Sequence, residues 1–555
     1  MTDDNEFVFV SLGGLGEIGM NCALYGYGPA SARKWLMVDL GVGFAGEDLP
    51  GVDLVMPNLD FIEKAKKDLV GIVVTHAHED HIGALAEFWP DLGAPVYMTR
   101  FAAGLVEARR LGEPGAPKIP LTVVGLGETV GIGPFVVEFI AVAHSIPESS
   151  ALAIRTPAGL VVHTADWKID PTPIVGLPTD EARFTALGDE GVLALICDST
   201  NVLREGESPS ERDVAKTLNW VIAEAKGRVA VTTFASNVAR LRSAAEAGFA
   251  AGRQICVLGR AIERVVAVAR DCGMLNGLPP FLGMDAFERL PRERILALAT
   301  GSQGEPRAAL ARMAADEHPT AELNAGDTVI FSSRTIPGNE KAVGKLVNAF
   351  VSRGVDIVTD RTALVHVSGH PRRAEMAKMY AWVRPRIAVP AHGEPLHLSE
   401  HAEFAKALGV PQVLRAFNGD VVRLAPGEVR VLGKVTSGRR VKDGAILLPA
   451  DQEGVGQRRR LGFAGVVSIA LALTPRGEMA GDPDVMIAGL PERTREGAAI
   501  DALIDEAIFE AFESLPPGKR RDADVVSSAI ERAVRGSVNA VWGKKPQVQV
   551  LVVEV

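Results

Sequence analysis

Cysteine is scarce: Cys22, Cys197, Cys256 and Cys272 are the four in 555 residues, far apart and without a CxxC pair. That scarcity excludes a zinc ribbon and a disulfide framework. Long apolar runs are missing too, and none approaches the roughly 18 residues that a membrane span requires. The densest stretch, 463–473, is too short and contains Ser468. Positive charge is not in excess, since 59 Lys and Arg against 69 Asp and Glu leave a net charge of −10. Coating by nucleic acid through bulk charge is therefore excluded, whereas one local basic channel is not. The opening residues, Met1 to Glu6, are acidic and lack the basic and apolar regions of a signal peptide. The expectation is a cytoplasmic protein with no membrane partner.

The remaining composition, 47% hydrophobic and 23% charged, can bury a sizeable core. At roughly 150 residues per domain the length predicts about three or four domains. Up to about residue 200 the chain reads as short β runs between Gly and Pro turns, among them 7–12, 35–39, 69–75, 136–142, 160–164 and 192–197. A different rhythm starts near Glu207, where Ser208-Pro209-Ser210-Glu211 resembles a capped helix start. From there to about 359 strand and helix alternate, the sign of a parallel α/β sheet. A helix is expected over 306–316 within this stretch. Residues 434–460 are Gly-rich and charged without sustained periodicity, which predicts a linker. The last hundred residues predict a small α+β module with helices over 501–514 and 525–541 and a closing strand over 548–555.

Chemistry concentrates in Thr75-His76-Ala77-His78-Glu79-Asp80-His81, directly after an apolar strand. Imidazoles and carboxylates packed this densely suit Zn²⁺ or Mn²⁺, and a strand end followed by a tight turn points them into one pocket. A helix is expected to begin at about Ile82. Three further candidates each lie just beyond a β run: His144, Asp166 and His392. Singly each reads as an ordinary capping residue; together with the first cluster they read as its distant partners. Gly14-Leu15-Gly16-Glu17-Ile18-Gly19 fits GxGxxG, but a strand rather than a helix follows it, so it predicts a tight hairpin beside the pocket and not a dinucleotide site. His397 and His401, four apart on a predicted helix, read as a surface pair, and His163 as a neighbour of the ligands rather than one of them.

The loop 76–81 with His144 and Asp166 resembles the metallo-β-lactamase ligand set. Asp198 in Cys197-Asp198-Ser199-Thr200, His370 in Val367-Ser368-Gly369-His370, and His392 resemble the three signatures of the β-CASP nucleases. Gly13–Asn21, Thr300–Pro306 and Ser332–Glu340 bring the resemblance to the bacterial ribonuclease J family, from about residue 7 to the linker. Over the last hundred residues only length and element order support it.

The resemblance implies an α/β protein: a metallo-β-lactamase αββα sandwich (1–205 and 365–433) split by an inserted β-CASP α/β domain (206–364). The linker (434–460) and a small C-terminal α+β domain (461–555) follow. It implies two divalent ions, Zn²⁺ first with Mn²⁺ or Mg²⁺ as alternatives. His76, His78 and His144 would hold one, Asp80, His81 and His392 the other, and Asp166 would bridge them. Asp80, Asp198 and His370 would be catalytic, with the choice of acid between Asp198 and His370 left open. His366, Ser368, Gly369, His370, Ser332, Ser333 and Arg334 would bind substrate as a 5′-monophosphate pocket.

The implied activity is RNA hydrolysis by a two-metal hydroxide mechanism, 5′→3′ from a monophosphorylated end with endonuclease cleavage besides, in mRNA decay and rRNA maturation. Implied partners are single-stranded RNA, a second copy in a homodimer or homotetramer, and components of an RNA-degradation complex. The competing readings are a small-substrate hydrolase on the same metal site and a non-catalytic RNA-binding scaffold.

Overall fold

The computed structural model describes residues 5–46 and 48–555. The acidic start at Met1 to Asp4 lies outside the described residues. The chain divides into two compact units, one reaching Gly43 and resuming over Val55–Arg440, the other formed by Phe44–Leu54 and Val441–Val555.

The first unit is built on two facing mixed sheets. One runs Arg430–Lys434, Asp420–Ala425, Glu6–Gly13, Cys22–Gly28, Lys34–Val38, Leu69–Val73, Val96–Met98 and Leu121–Val123. The other runs Gln412–Val413, Ile387–Ala391, Val192–Asp198, Gly159–His163, Ser150–Thr156, Phe135–Ala141 and Thr129–Ile132. Alternate residues of a strand point to opposite faces, so each strand of the second sheet serves two cores. Leu152, Ile154, Val161 and Ile196 meet Phe7, Phe9, Tyr25 and Val38 between the sheets. Ala151, Ala153, Val162 and Leu195 meet Phe184, Leu187, Met376 and Val383 of the helices outside. This is the expected αββα order.

The insertion is a five-stranded parallel sheet in the order Gln254–Leu258, Ile295–Ala299, Val229–Thr232, Thr328–Phe331, Asp356–Val358. Helices Glu211–Glu224, Val238–Ala250 and Arg260–Asp271 alternate with its strands as expected. The helix predicted over 306–316 is only Ala309–Ala314. The residues before it are held in a loop: Gln303 accepts from Ile336 N–H and donates to Arg334 C=O.

In the second unit Val466–Leu473 pairs antiparallel with Asp484–Ala488 and parallel with Gln547–Glu554. Helices Ile500–Glu513 and Ala523–Trp542 pack Ile504, Ile508, Ile530 and Val534 onto one face. The segment 434–460 is not a structureless linker. It carries strands Arg439–Asp443 and Ile446–Pro449 and most of helix Glu453–Ala464. Strands of five and four residues are too short to show alternation, which is why the pattern read as irregular. No helix among the described residues is long and apolar enough to cross a membrane.

Candidate metal centre

Strand pairing delivers the polar cluster to one edge of the two sheets. Val192–Asp198 lies parallel between Gly159–His163 and Ile387–Ala391, with Asp198 opposite Ala391. Asp198, which ends its strand, and Asp166 and His392, just past theirs, therefore meet although the sequence separates them widely. Val38 sits opposite Val73, so Asp39 lies beside the start of the loop 75–81. The glycine loop 14–21 joins two antiparallel strands, as the missing helix predicted, but it is a longer loop than a tight hairpin turn. It binds both neighbouring loops through Asn21 N–H to Asp80 C=O and Gly16 N–H to Gly393 C=O. The helix expected from Ile82 instead begins at Glu79 and stops at Ile82, with a second helix over Leu85–Leu92. Asp80 and His81 thus stand on a single helical turn.

The ligand-type residues gather in three overlapping groups, each with donor atoms within 4.8 Å of one another. They are His76, His78, His144 and Asp166; Asp80, His81, Asp166 and His392; and Asp166, Asp198, His370 and His392. His78 Nδ1 is 3.1 Å from both His76 Nε2 and His144 Nε2. His81 Nε2 is 3.3 Å from Asp166 Oδ2, and His392 Nε2 is 3.3 Å from Asp80 Oδ2.

The far sides of the rings decide where their protons sit. His144 Nδ1 donates to Gly369 C=O at 2.6 Å, and His81 Nδ1 donates to Asp39 Oδ2 at 2.7 Å. Thr75 Oγ1 donates to Asp39 Oδ2 and accepts from His76 Nδ1 at 3.0 Å. Thr200 Oγ1 donates to Asp198 Oδ1 and accepts from His392 Nδ1 at 2.7 Å. His76, His81, His144 and His392 therefore all face the cluster with Nε2. His78 Nδ1 has two imidazole nitrogens at 3.1 Å and can donate to only one of them, and Asp166 Oδ1 is buried with no hydrogen-bond partner. The donor set fits divalent metal.

The electrostatics agree. Burial holds His76 and His144 well below the ordinary imidazole value and His78 down to about 4, the neutral state that a ligand requires. Burial alone would raise Asp80, Asp166 and Asp198. The imidazoles of His81, His392 and His370 outweigh it and hold all three below the carboxylate range. Burial would lower His81, His370 and His392, but the same carboxylates hold them above the imidazole range. Without metal the cluster balances its carboxylates with protons, which metal binding would displace.

His370 Nδ1 is 2.8 Å from Asp198 Oδ2 and 3.9 Å from Asp166 Oδ2, at the open side of the cluster. Ser368 Oγ accepts from Asn201 Nδ2, and Gly369 lies against His144. His366 Nδ1 is buried without a hydrogen-bond partner. Burial, with the charges of Arg240 and Arg334 nearby, pushes His366 down to about 3. Arg334 is exposed beside it.

Ser332 does not join the expected pocket. It is fully buried, and its hydroxyl donates to Val365 C=O at 2.6 Å while accepting from Arg240 at 2.8 Å. Ser333 is buried as well. The surface pair also fails: His401 is fully buried between Ser199 Oγ and Tyr380 Oη, at 2.8 and 2.9 Å, while His397 is half-buried. His163 receives the Tyr25 hydroxyl at 2.8 Å, behind the cluster as expected. Asp39, Thr200 and Asn21 orient the ligand-type residues; Thr200 and Asn21 lie within sequence motifs without an assigned role, and Asp39 lies in none. Asp39 does follow the apolar run 35–38, the same signal that exposed His144 and Asp166.

Family models match along most of the chain: the metallo-beta-lactamase superfamily at residues 19–226, the ribonuclease J beta-CASP domain at 226–350, the Zn-dependent metallo-hydrolase RNA specificity domain at 354–414, and the ribonuclease J C-terminal domain at 454–555. Ribonuclease J of Sinorhizobium meliloti is 52% identical over 100% of this chain and 98% of its own length. That of Mycolicibacterium smegmatis is 38% identical over 98% and 97%. A crystal structure of an Enterococcus faecalis protein of unknown function shares the fold at TM-score 0.52 and 15% identity, covering 75% of this chain and 100% of that one. The last hundred residues, which carried no motif, match the family's own C-terminal domain. The chain belongs to the ribonuclease J family and is a metal-dependent ribonuclease.

Proposed function

We propose that this ribonuclease removes nucleotides 5′→3′ from single-stranded RNA bearing a 5′-monophosphate, with internal cleavage as a second activity, in cytoplasmic mRNA decay and rRNA maturation. His76, His78, His144 and Asp166 would hold one divalent ion, and Asp80, His81, His392 and Asp166 the other, with Zn²⁺ the first choice and Mn²⁺ or Mg²⁺ the alternatives. Such ions would supply a water activated at neutral pH and positive charge against the phosphodiester oxygens. The chain's own groups do the rest. Asp198 holds His370 in its protonated form beside Asp166, where the imidazolium can donate to a phosphate oxygen or to the leaving oxygen. Gly369 C=O keeps the His144 proton on Nδ1, away from the cluster.

The observation that carries the reading is the joint closure of two donor groups on Asp166 with the Asp198–His370 pair at their open side. The unpartnered His366 nitrogen and the exposed Arg334 beside it support a terminal phosphate there. A second copy in a homodimer or homotetramer, and components of an RNA-degradation complex, belong to the same reading by family likeness.

The test uses a 3′-labelled unstructured RNA carrying a 5′-monophosphate or a 5′-triphosphate, with wild type and His81→Ala, in Zn²⁺ or Mn²⁺. Progressive shortening of the monophosphorylated RNA by wild type alone is expected. Internal cuts indifferent to the 5′ end would discard the terminal pocket. No cleavage of either RNA would return the site to a small-substrate hydrolase or a scaffold.

A further inference from the structure

The insertion carries a fully buried guanidinium that the chemistry above does not use. Arg240, in the first turn of helix Val238–Ala250, pairs with Glu211 through Nη2 at 2.9 and 3.0 Å. Its Nη1 donates to Ser332 C=O at 2.7 Å, to Ser332 Oγ at 2.8 Å and to Val365 C=O at 2.9 Å. Each partner begins or ends an element that matters. Glu211 opens helix Glu211–Glu224, and its N–H is bound by Asp170 Oδ2 at 2.9 Å. Asp170 also lies 3.0 Å from the buried ammonium of Lys168, two residues beyond Asp166. Ser332 immediately follows strand Thr328–Phe331, next to Ser333 and Arg334. Val365 immediately precedes the segment His366 to His370.

We propose that Arg240 is a positioning residue that sets the segment 366–370 against the metal cluster. It ties that segment, and the Arg334 loop beside it, to the Asp166–Asp170 turn through Glu211. One planar group with fixed donor directions reaches the carboxylate, the hydroxyl and both carbonyls together; a lysine ammonium on a shorter reach does not. The pairing is buried, so the arrangement is rigid rather than one of many solvated surface contacts. A catalytic segment must hold its donors to within a fraction of an ångström of the cluster, and a 1 Å displacement can cost on the order of 10²-fold in rate. The inference rests on the terminal-phosphate reading for its substrate arm only.

The test compares full-length wild type, Arg240→Lys and Ser332→Ala for bound metal, kcat and KM on RNAs carrying a 5′-monophosphate or a 5′-hydroxyl. Arg240→Lys keeps a positive charge against Glu211. It is expected to retain the wild-type metal content, to lose on the order of 10²-fold in kcat/KM on the monophosphorylated RNA, and to lose the preference for that RNA. Ser332→Ala removes only the hydroxyl between Arg240 and Val365, and should move the same quantities in the same direction by less. If Arg240→Lys does not fold, Ser332→Ala decides. Wild-type kcat and KM in a folded Arg240→Lys overturn the proposal, as does a loss that only tracks lost metal or lost folded protein with the 5′ preference intact. A wild type indifferent to the 5′ end would sink the terminal-phosphate reading instead. Positioning of His370 would then be decided by kcat at unchanged metal content.

Discussion

His370 Nδ1 lies 2.8 Å from Asp198 Oδ2, and the other oxygen of Asp198 receives both the N–H and the hydroxyl of Thr200. The carboxylate is thus anchored on one side and presents one oxygen to the imidazole. Asp198→Asn keeps the shape but removes the charge that holds the ring protonated. Its kcat is expected to fall about 10²–10⁴-fold with RNA binding and metal content retained. Single-turnover cleavage beside metal analysis checks this. Parallel loss of metal would make Asp198 a ligand rather than a proton-managing group.

Asp39 binds His81 Nδ1, Thr75 N–H and Thr75 Oγ1 from a backbone at φ 62°, in the left-handed region. It orients two rings of the candidate metal centre, His81 directly and His76 through Thr75. Asp39→Ala is expected to weaken metal affinity about 10–100-fold, with activity restored as metal is raised. Competition against a chelator of known affinity measures it. An unchanged affinity would reduce Asp39 to a loop brace.

A Cβ added at Gly369 would lie 2.6 Å from both Cε1 and Nδ1 of His144, a ring already held by the Gly369 carbonyl. Gly369→Ala should therefore displace His144 and cost on the order of 10²-fold in kcat/KM. Gly433→Ala, whose Cβ meets nothing within 4 Å, is the matched control and should leave activity unchanged. Equal activities of the two variants would show that the loop yields without consequence.

Burial holds His401 down to about 3 although the Asp198 charge opposes it, so the folded protein keeps this ring neutral. The unfolded chain takes up a proton below about 6.5 that the folded state refuses. Stability from this residue is therefore complete above about pH 6.5 and falls as pH drops toward 3, by up to about 1.4 kcal/mol per pH unit. Urea midpoints at pH 7.5 and 5 should fall more steeply for wild type than for His401→Gln. Identical slopes would mean that His401 is protonated inside the fold.

Much of the site was legible because its parts are local. His76, His78, Asp80 and His81 lie within one strand-turn, and His144, Asp166 and His392 each follow an apolar run that marks a strand. The alternation between 207 and 359 revealed the parallel sheet for the same reason: period and spacing are properties of neighbouring residues. Where the elements are short, the pattern fails. The strands 439–443 and 446–449 read as a linker from their pattern, and the helix 309–314 is shorter than the pattern over 306–316 predicts.

By itself the sequence determined the ligand types, their placement at strand ends and the order of the domains, because these depend on residues a few positions apart. Tertiary structure alone decided which polar atoms remain free. Ser332 looked like a phosphate donor until Arg240 and Val365 took its hydroxyl, and His401 looked exposed until Ser199 and Tyr380 enclosed it. Asp198 faces His392 only because Val192–Asp198 and Ile387–Ala391 pair in register across a whole inserted domain. Hydrogen-bond capacity is spent on partners that chain distance does not reveal, so the orienting residues Asp39, Thr200 and Arg240 emerge only when the strands are in place.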